Sequence, residues 1–263
     1  MQKLKIFQVD AFADTLFKGN PAAVCLLEKW LDDSIMQSIA MENNLSETAF
    51  IVPDNDRYEI RWFTPASEVD LCGHATLASA FVLFLSGDKS LKKVHFVSKR
   101  SGNLFVSRLG DLLTLDFPVD LPKPIVGVSD KIADALDVFP QEVFQGKHDL
   151  VAIYENEDMI REIQPDFRKI AEINTRGLII TAKGDHCDFV SRFFAPGFGI
   201  DEDPVTGSAH TLLMPVWAEK LKKTKFHAQQ LSQRGGNLIC ELKDDRCLIG
   251  GKAFLYLQGE ILL

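Results

Sequence analysis

Hydrophobic and polar positions along this chain change period in a regular order. The opening run "MQKLKIFQVDAF" alternates and predicts a strand. "SIMQSIA", 34–40, then sets Ile35, Met36, Ile39 and Ala40 on one helical face, with Asp32 placed as an N-cap. A strand-like "TAFIV" follows at 48–52. Residues 75–85 are apolar nearly all round, the pattern of a helix that has to be covered on every side. Strand-like runs at 94–98, 104–107 and 112–117 close this half, with "SGN" and "LGD" as hairpin signals.

The second half repeats the first. "RWFTP" at 61–65 matches "RFFAP" at 192–196. After six residues in one case and nine in the other comes a small residue, a glycine and a polar or small pair: "CGHA" at 72–75 and "TGSA" at 206–209. "PDFRKIAEI", 165–173, puts Phe167, Ile170 and Ala171 on one face, and "GLIIT", 177–181, echoes "TAFIV". Behind "TGSA" come an apolar helix and three strand-like runs, about 225–231, 238–242 and 247–257. Between the halves, "FPVDLPKPIVGVS" has three prolines and no period and is expected to be a linker, about 119–128. The expected organisation is an N-terminal lobe over 1–118 and a C-terminal lobe over 129–263, with the terminal strand free to cross to the other lobe.

Hairpin turns between alternating runs argue for antiparallel pairing, hence α+β rather than a doubly wound sheet. Each lobe is expected to roll a mostly antiparallel sheet around its central helix, the two being related by a pseudo-twofold axis. With the lobes facing across that axis, both central helices would aim their N-termini into one crevice. Each would bring unpaired N–H groups and a positive dipole end, and Gly73 and Gly207 would let a ligand approach the backbone. Such a pocket suits an anion, most simply a carboxylate. The alternative is an old duplication with no site between its lobes.

Composition narrows the function. Of 263 residues, 46% are hydrophobic and 25% charged, with a net charge of −8. "LKKTK" at 221–225 is the densest basic run, so nucleic acid and anionic membranes are not expected as partners. No stretch has the length of a bilayer span, and the N-terminus lacks the apolar core of a signal peptide. Five cysteines at scattered spacings form neither a disulfide frame nor a zinc pattern. A cytoplasmic, reduced protein is the expectation. "GDHCD" at 184–188 is expected to be a hairpin turn rather than a metal site, and His210 and His227 lack ligand partners at a recognisable spacing. No Walker or dinucleotide fingerprint appears, so neither cofactor nor metal is expected.

Five ordered blocks carry a resemblance. "FKGNPAAV" (17–24), "NLSETAF" (44–50), "RWFTPASEVDLCGHATLA" (61–78), "FAPGFGIDEDPVTGSAH" (194–210) and "SQRGG" (232–236) together resemble the PhzF-like family of the diaminopimelate epimerase superfamily. The resemblance implies two lobes, each a sheet rolled round a helix, with the active site between them. It also implies cofactor-free isomerase chemistry and a homodimer.

It places an acid–base carboxylate at Glu47, which by itself is either an exposed loop carboxylate or a cleft residue between a helix end and an apolar strand. In a desolvated cleft its pKa would rise toward the working pH. The family carries a functional histidine in the "GH" pair, here His74, against which stands a core or capping role. Asp203 is either a simple N-cap or, by the resemblance, a catalytic residue that orients substrate or a relay partner. Ser208, at the repeat position of His74, could donate to a carboxylate. Asn20 is a turn or a pocket residue, and Ser46, Cys72, Gly73, Thr206 and Gly207 complete the expected substrate-binding set.

Cys72 and Thr206 separate mechanisms. Two-thiol epimerases of the superfamily flank the reacting carbon with one cysteine from each lobe; here the second place holds Thr206, too weak an acid for that exchange. Cys72 is then either a packing residue or a reactive thiol at a helix start. The expected function is a cofactor-independent isomerase that moves a proton within a small carboxylate-bearing substrate. The rivals are a racemase or epimerase pairing Cys72 with another base, and a catalytically silent binding protein of the same fold.

Overall fold

The computed structural model describes residues 3–87 and 91–263; Met1 and Gln2, which open the expected first strand, lie outside them. The chain forms two units, Met1–Asp116 with Gly250–Leu263, and Phe117–Ile249. In the first, β1 (Lys3–Ala11) pairs antiparallel with β2 (Asn20–Leu26). Helix α1 (Asp33–Asn43) carries the chain across to β3 (Glu47–Asp54), which runs parallel to β2. β4 (Arg57–Phe63) and the short β5 (Glu68–Val69) follow as antiparallel neighbours. Helix α2 (Gly73–Ser86) crosses to β6 (Lys93–Ser98), parallel to β4. β7 (Gly102–Leu109) and β8 (Leu112–Pro118) complete a meander.

The second unit repeats this order with additions: a short strand and a helix in front, two helices in place of one at the first crossover, and a 3-10 turn over Pro196–Phe198. β9 (Lys123–Pro124) and α3 (Ser129–Leu136) precede the antiparallel pair β10 (Glu142–Gln145) and β11 (Asp149–Ile153). Two short helices, α4 (Glu157–Glu162) and α5 (Phe167–Ala171), cross to β12 (Gly177–Lys183), parallel to β11. β13 (Phe189–Ala195) and β14 (Ile200–Asp203) pair antiparallel, and α6 (Gly207–Leu221) crosses to β15 (Lys225–Gln230), parallel to β13. β16 (Gly236–Lys243) and β17 (Arg246–Gly251) follow. The chain then breaks for one residue, Lys252, and β18 (Ala253–Leu262) lies antiparallel on β1 in the first unit.

This is a mixed α+β fold. Pairing is mostly antiparallel, as expected, and among the described residues four pairs run parallel. Each arises where a helix or helix pair returns the chain to the end of the sheet it left, which hairpin signals cannot reveal. The stretch expected as a linker contains β9, whose Lys123 and Pro124 pair with β10. The "GDHCD" run is the turn between β12 and β13, closed by Gly184 N–H on Asp188 O at 3.4 Å.

Helix α2 explains the shape of its unit. Eleven of its fourteen residues are buried, and Ala75, Ala78 and Ala80 have no exposure at all. The small side chains let sheet strands approach closely, while Leu77 and Val82 each gain about 1.5–3 kcal/mol from leaving water. Helix α1 buries Met36, Ile39 and Ala40 against Phe50 and Phe63, whose rings meet edge to face at 5.5 Å. Ile35, expected on that face, is 37% exposed: the buried stripe is narrower than four residues. Asp32 holds the N-cap place of α1 through its backbone carbonyl, without a side-chain cap bond. Only Ile170 of α5 is fully buried, because the helix is too short to present a long stripe; Ala171 faces solvent. Among the described residues no helix is long and apolar enough to cross a membrane.

A matched ion pair braces both units. Arg61 on β4 grips Glu68 on β5 with two bonds of 2.7 and 2.8 Å, its guanidinium 5.1 Å from the Phe63 ring. Arg192 on β13 grips Glu202 on β14 at 2.8 and 3.0 Å, 5.0 Å from the Phe194 ring. In both, the glutamate stands four residues before the residue that starts the central helix, so the pair pins the hairpin leading into that start. Arg61 also reaches Asp33 on α1, and Arg192 the carbonyls of Ile160 and Ile163 at the end of α4. Arg192→Ala leaves those carbonyls and Glu202 without their donor. We expect a loss of about 2 kcal/mol, read by chemical denaturation, with Arg192→Lys intermediate because lysine cannot fork.

Candidate active site

Glu47 opens β3 just after α1 ends in a left-handed turn at Asn44, whose N–H bonds Ala40 O at 3.2 Å. Residues 47–52 of β3 are all buried, so Glu47 enters a strand covered on both faces and is only 8% exposed. Helix α2 begins at Cys72, an extended residue (φ −139°, ψ 114°) with no side-chain cap bond. Its carbonyl takes the Thr76 N–H at 3.2 Å and the Thr76 hydroxyl at 2.5 Å. The first turn therefore holds Gly73 and His74 in fixed positions.

Four expected residues meet here. Asn20 Nδ2 donates to His74 Nδ1 at 3.1 Å, and Cys72 Sγ lies 3.5 Å from the same nitrogen. On the far side of the ring, His74 Nε2 stands 3.2 Å from Glu47 Oε2, near enough to interact but off the line of a hydrogen bond. With Nδ1 accepting from Asn20, the ring proton sits on Nε2 and faces the carboxylate. Burial pulls the His74 pKa down to about 3, so the imidazole is neutral at physiological pH. Ser46 is half-buried just ahead of β3.

Asp203, Thr206, Gly207 and Ser208 form a corner of the second unit. The Thr206 hydroxyl donates to Asp203 Oδ2. Gln230 on β15 binds the same turn three times: it accepts from Thr206 N–H at 2.8 Å, and its amide nitrogen donates to Asp203 O at 2.8 Å and Thr206 Oγ1 at 3.1 Å. Thr206, not Asp203, is the helix N-cap residue. Ser208 Oγ accepts from Arg176 Nη2 at 3.3 Å, and Arg176 is held by two bonds to Asp149. Sequence reading missed Gln230, Arg176 and Asp149. Gln230 carries no signal, being a polar residue inside an expected strand, and Arg176 directly precedes "GLIIT" without a motif of its own.

The two corners differ at the position that matters. Thr48 pairs with Phe63 on β4, and Leu178 with Phe194 on β13. Since Phe63 and Phe194 close the matching "RWF" and "RFF" runs, Thr48 corresponds to Leu178 and Glu47 to Gly177. The echo of "TAFIV" in "GLIIT" is thus displaced by one residue. A Cβ at Gly177 would meet the Phe193 ring at 2.3 Å, so that place has no room for a side chain.

The family model described as phenazine biosynthesis-like protein (PhzC-PhzF) matches residues 9–259. The chain belongs to this phenazine biosynthesis-like family. It is 49% identical to an uncharacterized isomerase of Pseudomonas aeruginosa over 261 residues, covering 99% of this chain and 100% of that one. A crystal structure of a PhzF-family phenazine biosynthesis protein from Enterococcus faecalis superposes with a TM-score of 0.96 at 47% identity, each chain covered completely. A hydroxyproline epimerase from Agrobacterium vitis shares the fold at a TM-score of 0.65 and 10% identity, with 98% of this chain and 92% of that one covered.

Two buried histidines, His74 in the first unit and His210 in the second, are expected to make this phenazine biosynthesis-like chain sensitive to acid. His210 is fully buried, with Nδ1 on Thr206 O at 2.9 Å, and burial lowers its pKa to about 4 despite that bond. The unfolded chain binds a proton below about pH 6.5, whereas the folded chain does not until about pH 4 at His210. Stability is therefore complete above pH 6.5 and falls as pH drops through that window, by on the order of 3 kcal/mol for His210 alone. Melting temperatures taken at steps from pH 7.5 to 4.5 should show this decline, and His210→Gln should reduce it, leaving the share due to His74.

Proposed function

We propose that the protein is an isomerase that moves a proton within a small carboxylate-bearing molecule, with Glu47 taking the proton from one carbon and returning it to another. Support comes from family membership, from relatives named isomerases, and above all from one observation. A single carboxylate, Glu47, lies buried beside a neutral imidazole, while its counterpart is a glycine with no room for a side chain.

A neutral His74 cannot act as a standing cation. Its Nε2–H is suited to holding Glu47 or a substrate oxygen as charge develops, with Asn20 fixing the ring from behind. The carbon acid loses its proton to Glu47, and the same protonated carboxyl delivers it on the same face. Such a shift needs a base and hydrogen-bond donors and draws on no cofactor. Asp203 as an orienting group, and the helix-start residues Gly73, Gly207 and Ser208 as carboxylate donors, belong to the same proposal.

Cys72 favours a second reading. Its sulfur 3.5 Å from His74 Nδ1 makes a thiol–imidazole contact of the kind that activates cysteine, and would serve an amino-acid racemase with two bases. Deuterium incorporation from heavy water into a panel of small carboxylic and amino acids, followed by NMR, separates the two. Glu47→Gln should lower exchange by ~100-fold or more with an unchanged melting temperature, while Cys72→Ser retains it. Exchange at the wild-type rate in Glu47→Gln would overturn the assignment; inversion at Cα that vanishes in Cys72→Ser would establish the racemase.

A further inference from the structure

The first unit's corner brings together three different metal-binding donors. A carboxylate oxygen of Glu47, the sulfur of Cys72 and a ring nitrogen of His74 all lie within 4.8 Å of one another. Tetrahedral zinc, with bonds of about 2.0 Å to nitrogen or oxygen and about 2.3 Å to sulfur, spaces its ligand atoms about 3.3 to 3.6 Å apart. His74 Nε2 and Glu47 Oε2 already stand 3.2 Å apart. His74 Nε2 is buried and makes no hydrogen bond, with Glu47 Oε2 beside it, while Cys72 Sγ lies 3.5 Å from the other nitrogen of the same ring. The spacing of the sequence gave no hint of this, because Glu47 comes from a separate strand.

We propose that Glu47, Cys72 and His74 form a binding site for a zinc-like divalent cation, through one carboxylate oxygen, the thiolate and Nε2. Three protein ligands leave a fourth position open. The mix of sulfur, imidazole and carboxylate selects zinc or cobalt over magnesium or calcium. On binding, the Cys72 thiol releases one proton to solvent. The two positive charges of the ion then balance the thiolate and the carboxylate, leaving a neutral cluster in a buried place. Asn20 serves as the outer partner: turning its amide over presents Oδ1 to Nδ1–H and frees the Nε2 lone pair for the ion. An ion here occupies the proposed base, so metal binding and proton transfer exclude each other. The inference goes beyond the isomerase reading and does not need it.

The test uses the full-length protein stripped with a chelator and titrated with cobalt(II) chloride alone. One equivalent should bind with a near-ultraviolet thiolate-to-cobalt charge-transfer band and the intense visible bands of four-coordination, and zinc should displace it. Cys72→Ser should abolish the charge-transfer band, whereas Cys187→Ser, at a half-buried cysteine elsewhere, should keep it. Glu47→Gln, nearly isosteric, should weaken binding by at least ~10-fold, and Asn20→Ala by ~10-fold through the ring it orients. The proposal is overturned if the wild type shows no band, if the band survives Cys72→Ser, or if Glu47→Gln binds cobalt as tightly as wild type. Should Cys72→Ser fail to fold by circular dichroism, Glu47→Gln decides alone.

Discussion

A helix with almost no polar side decides where chemistry can occur in the first unit. α2 must be enclosed along its length, and strands wrap it so closely that its alanines have no exposure. Polar groups placed along such a helix would have to find partners inside the protein. The start is different, because the first-turn N–H groups lack intrahelical partners and the chain enters from a turn. Cys72, Gly73 and His74 occupy that start, and the parallel crossover from β2 through α1 brings Glu47 and Asn20 to it. The cluster of Asn20, Glu47, Cys72 and His74 is thus a consequence of wrapping a sheet around an apolar rod.

The second unit uses the same scaffold for a different purpose. The arginine–glutamate brace, the extended residue before the glycine and the bond back to its carbonyl are kept; Thr76 makes that bond in one unit and His210 in the other. The side chains around them differ. Where the first unit has Glu47, Cys72 and His74, the second has Gly177, Thr206 and Ser208, with Asp203 where the first has Val69. Gln230 satisfies the turn that carries Asp203 with three bonds at once, so the position of that carboxylate depends on β15 rather than on its own short strand. Equal backbones with unequal side chains are what a one-sided reaction would require.

Much of this was legible in the sequence because duplication doubles every signal. Hydrophobic periods located α2 and the meander after it, and the matched "RWFTP" and "RFFAP" runs aligned the units. Other features left no local trace. The parallel pairs depend on where helices return the chain. Residues 130–162 hold elements too short to build a period, among them β10, β11 and α4. The displacement between "TAFIV" and "GLIIT" shows the limit clearly: both are continuous apolar runs, and only pairing with β4 and β13 fixes which residue faces which. That single residue decides whether Glu47 is matched by Arg176 or by Gly177.

The state of His74 bears on how the proposed chemistry would run. A histidine beside a carboxylate is often taken as a charged pair, but here burial of the ring pulls its pKa down to about 3. Protonating it at neutral pH would place a cation on a buried ring, which burial disfavours. In the proposed reaction the proton in transit would then reside on Glu47 rather than on the imidazole. Both halves of the reaction would fall to one carboxyl group, and a group that both receives and returns the proton favours delivery to the face from which it came. Stereoinversion would need a second acid on the opposite face. A Cβ at Gly177, the residue that corresponds to Glu47, would meet the Phe193 ring, so the second unit has no carboxylate at that position and the proposed reaction rests on Glu47 alone.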